Sequence, residues 1–182
     1  MKNIVRVLCF RIKLFGCQLF GKDSMRIKVD YYRSKGATIG NNTRIFSEIS
    51  GLEPYLITIG NNVTVAANVN FCTHDNSAIK FFPDATDFVG PIIIGDNCFI
   101  GTGSILMGGI TIGNNCIVGA GSVVTKSFIE SGKIIAGNPA KVVGTVEEYK
   151  EKNQRYSFNF KGMNFEQRKK EIISNQARWK RK

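Results

Sequence analysis

Between residues 94 and 128 the apolar positions follow a period of six. Ile94, Ile100, Leu106, Ile112, Val118 and Val124 stand six apart. Four residues after each comes a second, mostly small position: Cys98, Ser104, Ile110, Cys116, Ser122 and Phe128. A helix repeats at 3.6 and a strand at 2, and neither alone makes a strict period of six. Three hexapeptides per turn of a triangular coil do, so the pattern predicts a parallel β-helix. In each hexapeptide the large aliphatic residue points into the prism and the small one lets the chain bend. After 18 residues the chain returns one strand spacing, roughly 4.8 Å, further along the axis.

A tetrapeptide marks the corners: Ile39-Gly40-Asn41-Asn42, Ile59-Gly60-Asn61-Asn62, Ile94-Gly95-Asp96-Asn97 and Ile112-Gly113-Asn114-Asn115. The last two copies, one coil apart, predict that Gly95 stacks near Gly113 and Cys98 near Cys116. Each glycine is expected to supply the positive φ of a tight corner, with asparagine tolerating it better than most residues. From Ile39 to Ile59 the spacing holds two extra residues. From Ile59 the hexads run through Val65 and Phe71 and then fail, and residues 75–90 carry no such pattern. One coil from 59 to about 76, an extruded loop over about 75–91 and a prism resuming near Pro91 account for this. Long unpatterned loops in compact domains are usually functional or disordered, and this one begins at the single histidine of the chain, His74.

At 182 residues the chain fits one domain with a continuous core. Three regions are expected: a helical cap and linker over 1–36, the prism over 37–146, and a basic helical tail over 147–182. Residues 1–20 read as a helix covering the open end of the prism or resting on an anionic membrane surface. Arg6, Arg11 and Lys13 interrupt every apolar run there, so the segment is too short and too charged to span a bilayer, and no cleavage site follows it. Residues 21–38 read as a linker or first irregular coil. The five cysteines form no CxxC pair, and buried thiols at 98 and 116 suit a reducing cytosol.

The net charge of +11 is uneven: +7 over residues 1–36, −2 over 37–146 and +6 over 147–182. The prism itself is no basic patch. A nucleic-acid role would draw on the flanks, but no recognised binding module accompanies them, and none is expected.

The hexads, the Thr73-His74-Asp75 step, the loop, and the closing Val124-Thr125-Lys126 with Ala136-Gly137-Asn138-Pro139-Ala140-Lys141-Val142 together resemble the hexapeptide-repeat acyltransferases over about residues 36–145. Within them the chain is most similar to maltose, galactoside and xenobiotic O-acetyltransferases, above all those serving capsule or lipopolysaccharide biosynthesis. The resemblance implies an all-β fold, a left-handed parallel β-helix that departs from the right-handed crossover rule, with short helical flanks. It also implies a homotrimer with active sites between neighbouring prisms, acetyl-CoA as co-substrate, no metal, and a small-molecule or glycan acceptor.

His74 is the expected general base, because a neutral imidazole suits proton removal from a hydroxyl near pH 7. Glu53, about one coil earlier, resembles the acidic partner that orients it. Direct transfer needs no acyl-enzyme, so Cys72 is assigned to packing. By family position, the backbone amide of Thr102 would stabilise the oxyanion. Gly119, Ala120, Thr125, Lys126, Pro139 and Lys141 would hold coenzyme A, the lysines pairing with phosphate. Ser47, Glu48, Asp75 and Asn76 stand where the acceptor is expected. Relatives have an asparagine before the acidic residue where this chain has Ser47 and Glu48, so the acceptor cannot be copied across. Phe81 and Phe82 are candidates for a platform under the acceptor or a neighbouring subunit.

One histidine per chain cannot build the three-ligand zinc site of hexapeptide carbonic anhydrases. Open alternatives are a xenobiotic or amino-sugar acetyltransferase, a longer acyl donor, and a catalytically inactive scaffold. The expected location is cytoplasmic, with possible contact at the inner membrane through the N-terminal helix.

Overall fold

The computed structural model describes residues 5, 7–10, 12, 24–49, 51 and 53–180. The six-residue period becomes a three-sided coil. The first face stacks Thr38–Ile39, Ile57–Ile59, Ile92–Ile94 and Ile110–Ile112. The second stacks Arg44–Ile45, Thr64–Val65, Phe99–Ile100 and Ile117–Val118, followed by Lys133–Gly137 and Ala140–Thr145. The third stacks Asn70–Cys72, Ile105–Met107 and Val123–Val124. Neighbouring strands within the coil are parallel; only the last strand, Ala140–Thr145, runs antiparallel to its neighbour.

The inward hexad residues form one continuous core. Ile45, Val65, Ile100, Leu106, Ile112, Val118 and Val124 have no accessible surface. Burying each such side chain contributes roughly 1.5–3 kcal/mol. The second, small position is also buried: Cys98, Ser104, Cys116 and Ser122 are at most 3% exposed. Their polar atoms are satisfied by corner carbonyls. Ser104 Oγ donates to the Gly101 and Gly119 oxygens at 2.7 and 3.0 Å, and Cys98 Sγ to the Gly113 oxygen at 3.0 Å.

The corner chemistry differs from the expectation in one respect. The positive φ falls on the second asparagine of each tetrapeptide: Asn42, Asn62, Asn97 and Asn115 lie between 54° and 56°. The glycines are needed for close approach. A Cβ on Gly60 would stand 2.8 Å from the Gly95 carbonyl carbon, and one on Gly95 2.9 Å from that of Gly113. The third residue of each tetrapeptide links coils. The backbone N–H of Asn41, Asn61 and Asp96 donates to the side chain of Asn61, Asp96 and Asn114 at 2.9, 2.6 and 2.8 Å.

The flanks qualify the all-β expectation and place a helix in the stretch read as linker. The fold is not purely β, since helices span Ser24–Ser34 (α1), Val146–Asn153 (α2) and Phe165–Ser174 (α3). The cover over the open end of the prism is α1, in the stretch read as linker. Its Val29 and Tyr32 join the core. Its polar atoms engage the exposed rim of the first coil. Arg33 donates to the Ile39 and Gly40 oxygens at 2.8–3.0 Å, Lys28 donates to the Phe46 oxygen, and the Ile49 N–H donates to the Tyr32 hydroxyl. Most of residues 1–20 lie outside the described residues. Those described, Val5, Val7–Phe10 and Ile12, are helical, with Phe10 stacked on Tyr31 at 3.8 Å between ring centroids.

Candidate active site

The coil continues across the loop in register. Ile59 pairs with Ile94 although 35 residues separate them, so 17 residues beyond one coil are extruded. The loop is organised rather than patternless. His74–Asp75 pairs antiparallel with Phe88–Val89, and a 3₁₀ helix spans Asn76–Lys80 between them. Gly90 N–H closes the base on the Thr73 oxygen at 2.9 Å. Here the chain leaves the third face and would otherwise turn onto the first, so His74 stands on the edge between those faces.

Glu53 stands on the same edge, one coil earlier, where the two extra residues of the first coil are accommodated. Its Oε2 lies 2.9 Å from His74 Nδ1 and also accepts from Thr73 Oγ1 at 2.9 Å. A carboxylate only accepts, so the Nδ1 nitrogen carries the proton and Nε2 keeps its lone pair. The His74 side chain is 38% exposed and that of Glu53 15%. The hydrogen bond and charge of Glu53 hold the imidazole above the ordinary histidine value, against partial burial; Asp87 and Asp75 add to the rise. Reciprocally, the hydrogen bond from His74 holds Glu53 below the usual carboxylate range, with Thr73 acting the same way against burial. From the sequence Thr73 was marked only as part of the Thr73-His74-Asp75 step and given no role; the signal available was a threonine two residues after the inward Phe71, facing the core.

The acceptor residues expected beside the base are mostly occupied elsewhere. Ser47 is 2% exposed, donates to the Ala66 oxygen and accepts from Val69 N–H at 2.7 Å. It fills an inward corner position like Ser104 and Ser122, which corrects its assignment to the acceptor. Glu48 is exposed in the first coil and its charge acts on Lys28 and Tyr32 of α1. Asp75 accepts from Ser77 N–H at 2.9 Å, and Asn76 donates to the Thr86 oxygen at 3.0 Å, so both brace the loop. Phe81, Phe82 and Phe88 are 50–80% exposed, with Phe82 edge-on to Phe88 at 5.8 Å. Cys72 is half-buried, and burial pushes its thiol up.

The residues assigned to coenzyme A fall on two edges. Thr102, Gly119, Ala120 and Pro139 lie along the edge between the second and third faces. There Gly121 N–H donates to the Thr102 oxygen, and a Cβ on Gly101 would meet Ala120 N at 2.5 Å. Nothing among the described residues accepts from the Thr102 N–H. Ala120 and Pro139 are exposed, leaving a smooth rim. Thr125 and Lys126 stand instead on the edge of His74, two coils on, with Lys126 Nζ 5.7 Å from the Phe128 ring. Lys141 is exposed on the final strand. Within one chain, the imidazole and the open Thr102 amide are thus a face apart. No group of three or more metal-binding side chains occurs among the described residues.

Comparison with known proteins places the coil in a family. Residues 91–126 match the family model "Hexapeptide repeat of succinyl-transferase". Protein CapG of Staphylococcus aureus is 43% identical over 146 residues, covering 77% of this chain and 84% of that protein. Among solved structures, a maltose O-acetyltransferase from Clostridium difficile 630 is 30% identical, with a TM-score of 0.53 over 68% of this chain and 76% of that one. A hexapeptide-repeat acetyltransferase of Vibrio cholerae, solved with acetyl coenzyme A, is 29% identical, with a TM-score of 0.55 over 61% of each. These neighbours imply the left-handed sense of the β-helix. The chain belongs to the hexapeptide-repeat acetyltransferase family and is an acyltransferase.

Proposed function

We propose that the chain transfers the acetyl group of acetyl-CoA to a sugar hydroxyl in capsule or lipopolysaccharide biosynthesis, with His74 as general base. The observation that carries this is the His74–Glu53 pair at the mouth of the extruded loop. The acceptor class follows the resemblance to capsule and lipopolysaccharide O-acetyltransferases and the likeness to a maltose O-acetyltransferase; the donor follows the likeness to an acetyltransferase solved with acetyl coenzyme A.

In the proposed step His74 Nε2 takes the hydroxyl proton while the acceptor oxygen bonds to the thioester carbonyl carbon. Glu53 keeps the ring oriented and offsets the developing imidazolium charge. The tetrahedral oxyanion accepts from the Thr102 N–H. The C–S bond then breaks and the imidazolium returns the proton to the leaving thiolate. Cys72, whose thiol burial keeps protonated, forms no acyl-enzyme. Gly119 and Ala120 give a flat rim for the pantetheine arm, Pro139 bounds the adenine, and Thr125, Lys126 and Lys141 meet the polar and phosphate groups.

Because His74 and Thr102 lie on different edges, the site is completed by the Thr102 edge of a second copy, which a homotrimer supplies three times over. The enzyme works in the cytoplasm at the inner membrane face. No described helix is long and apolar enough to cross a membrane. Contact is instead by the N-terminal helix, whose Val5, Leu8 and Ile12 are 57–62% exposed on one side while Phe10 stacks on Tyr31. Flotation with anionic liposomes reads that contact directly.

The decisive experiment measures free thiol release from acetyl-CoA with a panel of sugars, amino sugars and hydroxylated antibiotics, wild type beside His74→Ala. Removal of a general base should lower turnover about 10²–10⁴-fold. An unchanged rate in His74→Ala overturns the assignment, and turnover confined to amino acceptors would move it to N-acetylation.

A further inference from the structure

We infer that Thr73 is a positioning residue for the acid–base pair, its hydroxyl clamping the Glu53 carboxylate so that the His74 ring keeps one nitrogen on Glu53 and presents the other to the acceptor. This rests on the reading of His74 as the base.

Thr73 and His74 are neighbours whose side chains diverge. Thr73 is 2% exposed and faces the core, whereas His74 opens to solvent. A buried β-branched side chain is stiff at χ1, so the Thr73 hydroxyl is a fixed donor. It meets the same Glu53 oxygen as the imidazole, each at 2.9 Å. Those two contacts are the side-chain hydrogen bonds that Glu53 makes to other residues among the described ones. Although Glu53 precedes the 3₁₀ turn Pro54–Leu56, its carboxylate makes no cap bond there. Without Thr73 the carboxylate would be anchored only by the ring it is meant to orient. The backbone leaves room for the clamp. Gly51, at φ +140°, borders the clamp: a Cβ there would lie in ordinary contact, 3.7 Å from Thr73 Oγ1 and 4.0 Å from Glu53 Oε2. A mutual three-group arrangement results, in which a neutral hydroxyl fixes an anion and the anion fixes the tautomer of the base.

The single histidine makes the test clean, because the ¹⁵N spectrum of the full-length protein contains one imidazole. Read without substrate above its titration, wild type should show the Nδ1–H tautomer. Thr73→Val should shift the ring toward a mixture of tautomers and lower kcat about tenfold or more, as expected for losing one hydrogen bond to a charged group, with KM for acetyl-CoA unchanged. Thr73→Ser should keep both near wild type, and in a Glu53→Gln background Thr73→Val should add nothing further. Thr73→Ala is read in the same way should valine prevent folding. A wild-type tautomer in the hydroxyl-free variants, or failure of serine to restore it, overturns the inference. Activity surviving in His74→Ala would instead overturn the base assignment, while the substrate-free spectra still report on Thr73.

Discussion

At the residue scale the glycine and asparagine of each corner share one pattern and do different work. In each Ile-Gly-Asn-Asn corner the sequence marks both Gly and Asn as unusual, but periodicity alone cannot separate a dihedral requirement from a distance requirement. The structure gives the positive φ to asparagine and the close approach to glycine. Gly95→Ala should therefore cost about 1–3 kcal/mol by forcing adjacent coils apart, whereas Asn97→Gly, at φ 56°, keeps the dihedral and gives up only an exposed hydrogen bond from Asn62, so it should cost less; thermal melts of the two variants decide this. The Glu53–His74 contact was legible because coil arithmetic stacks residues about 18–22 apart. Ser47 was misread because its place was taken from family position; it stands two residues after Ile45 rather than four, so the hexad phase does not mark it as inward, and only its contacts with Ala66 and Val69 of the next coil do. The pair also fixes a pH dependence. The base works as neutral imidazole, and Glu53 raises its folded value above 6.5, so the acidic limb of kcat/KM should lie above pH 6.5. In Glu53→Gln the limb should move down toward 6.5 while the plateau falls. For stability the same interaction counts once: the histidine side is present below 6.5 and lost as pH rises through its raised value, and the glutamate side is lost as pH falls through its lowered one. A limb that stays put in Glu53→Gln would show that the carboxylate does not govern the ring.

At the element scale the loop is a graft on an uninterrupted coil. Strands on either side of it pair as if it were absent, and of its residues between His74 and Gly90 only Ala78 is buried. Replacing residues 76–87 by a two-residue Asn-Gly turn should keep the hairpin base formed by His74–Asp75 and Phe88–Val89. The melting temperature should fall by no more than a few degrees, and thiol release should be lost if Phe81 and Phe82 form a platform for the acceptor. Collapse of the fold would show that the loop is structural. Helix α1 shows the limit of reading elements from apolarity. Its Met25, Ile27, Val29 and Tyr32 are diluted by Arg26, Lys28, Asp30 and Arg33, so the more apolar residues 1–20 attracted the capping role. What α1 offers is a set of side-chain donors matched to a rim of open carbonyls, which has no hydropathy signature.

At the scale of the whole molecule, the two halves of the proposed site lie on different edges of the prism. If neighbouring copies complete it, His74→Ala and a Thr102→Pro variant, which lacks the amide proton, should each be inactive. Refolding them together should restore about a quarter of wild-type sites, the random share of interfaces that pair an intact His74 with an intact Thr102. No recovery on mixing would place both groups in one chain or remove Thr102 from the chemistry. The ends of the prism carry a last consequence. A parallel coil has no intrinsic length, since every rung is a template for the next. Here α1 occupies the first rung, and the reversed strand Ala140–Thr145 closes the last on the second face. Rung number is thus a free variable between two terminators: duplicating the 18 residues from Ile94 to Thr111 should yield a taller molecule of the same cross-section, and cutting the chain before Lys133 should turn a discrete protein into a growing fibre end.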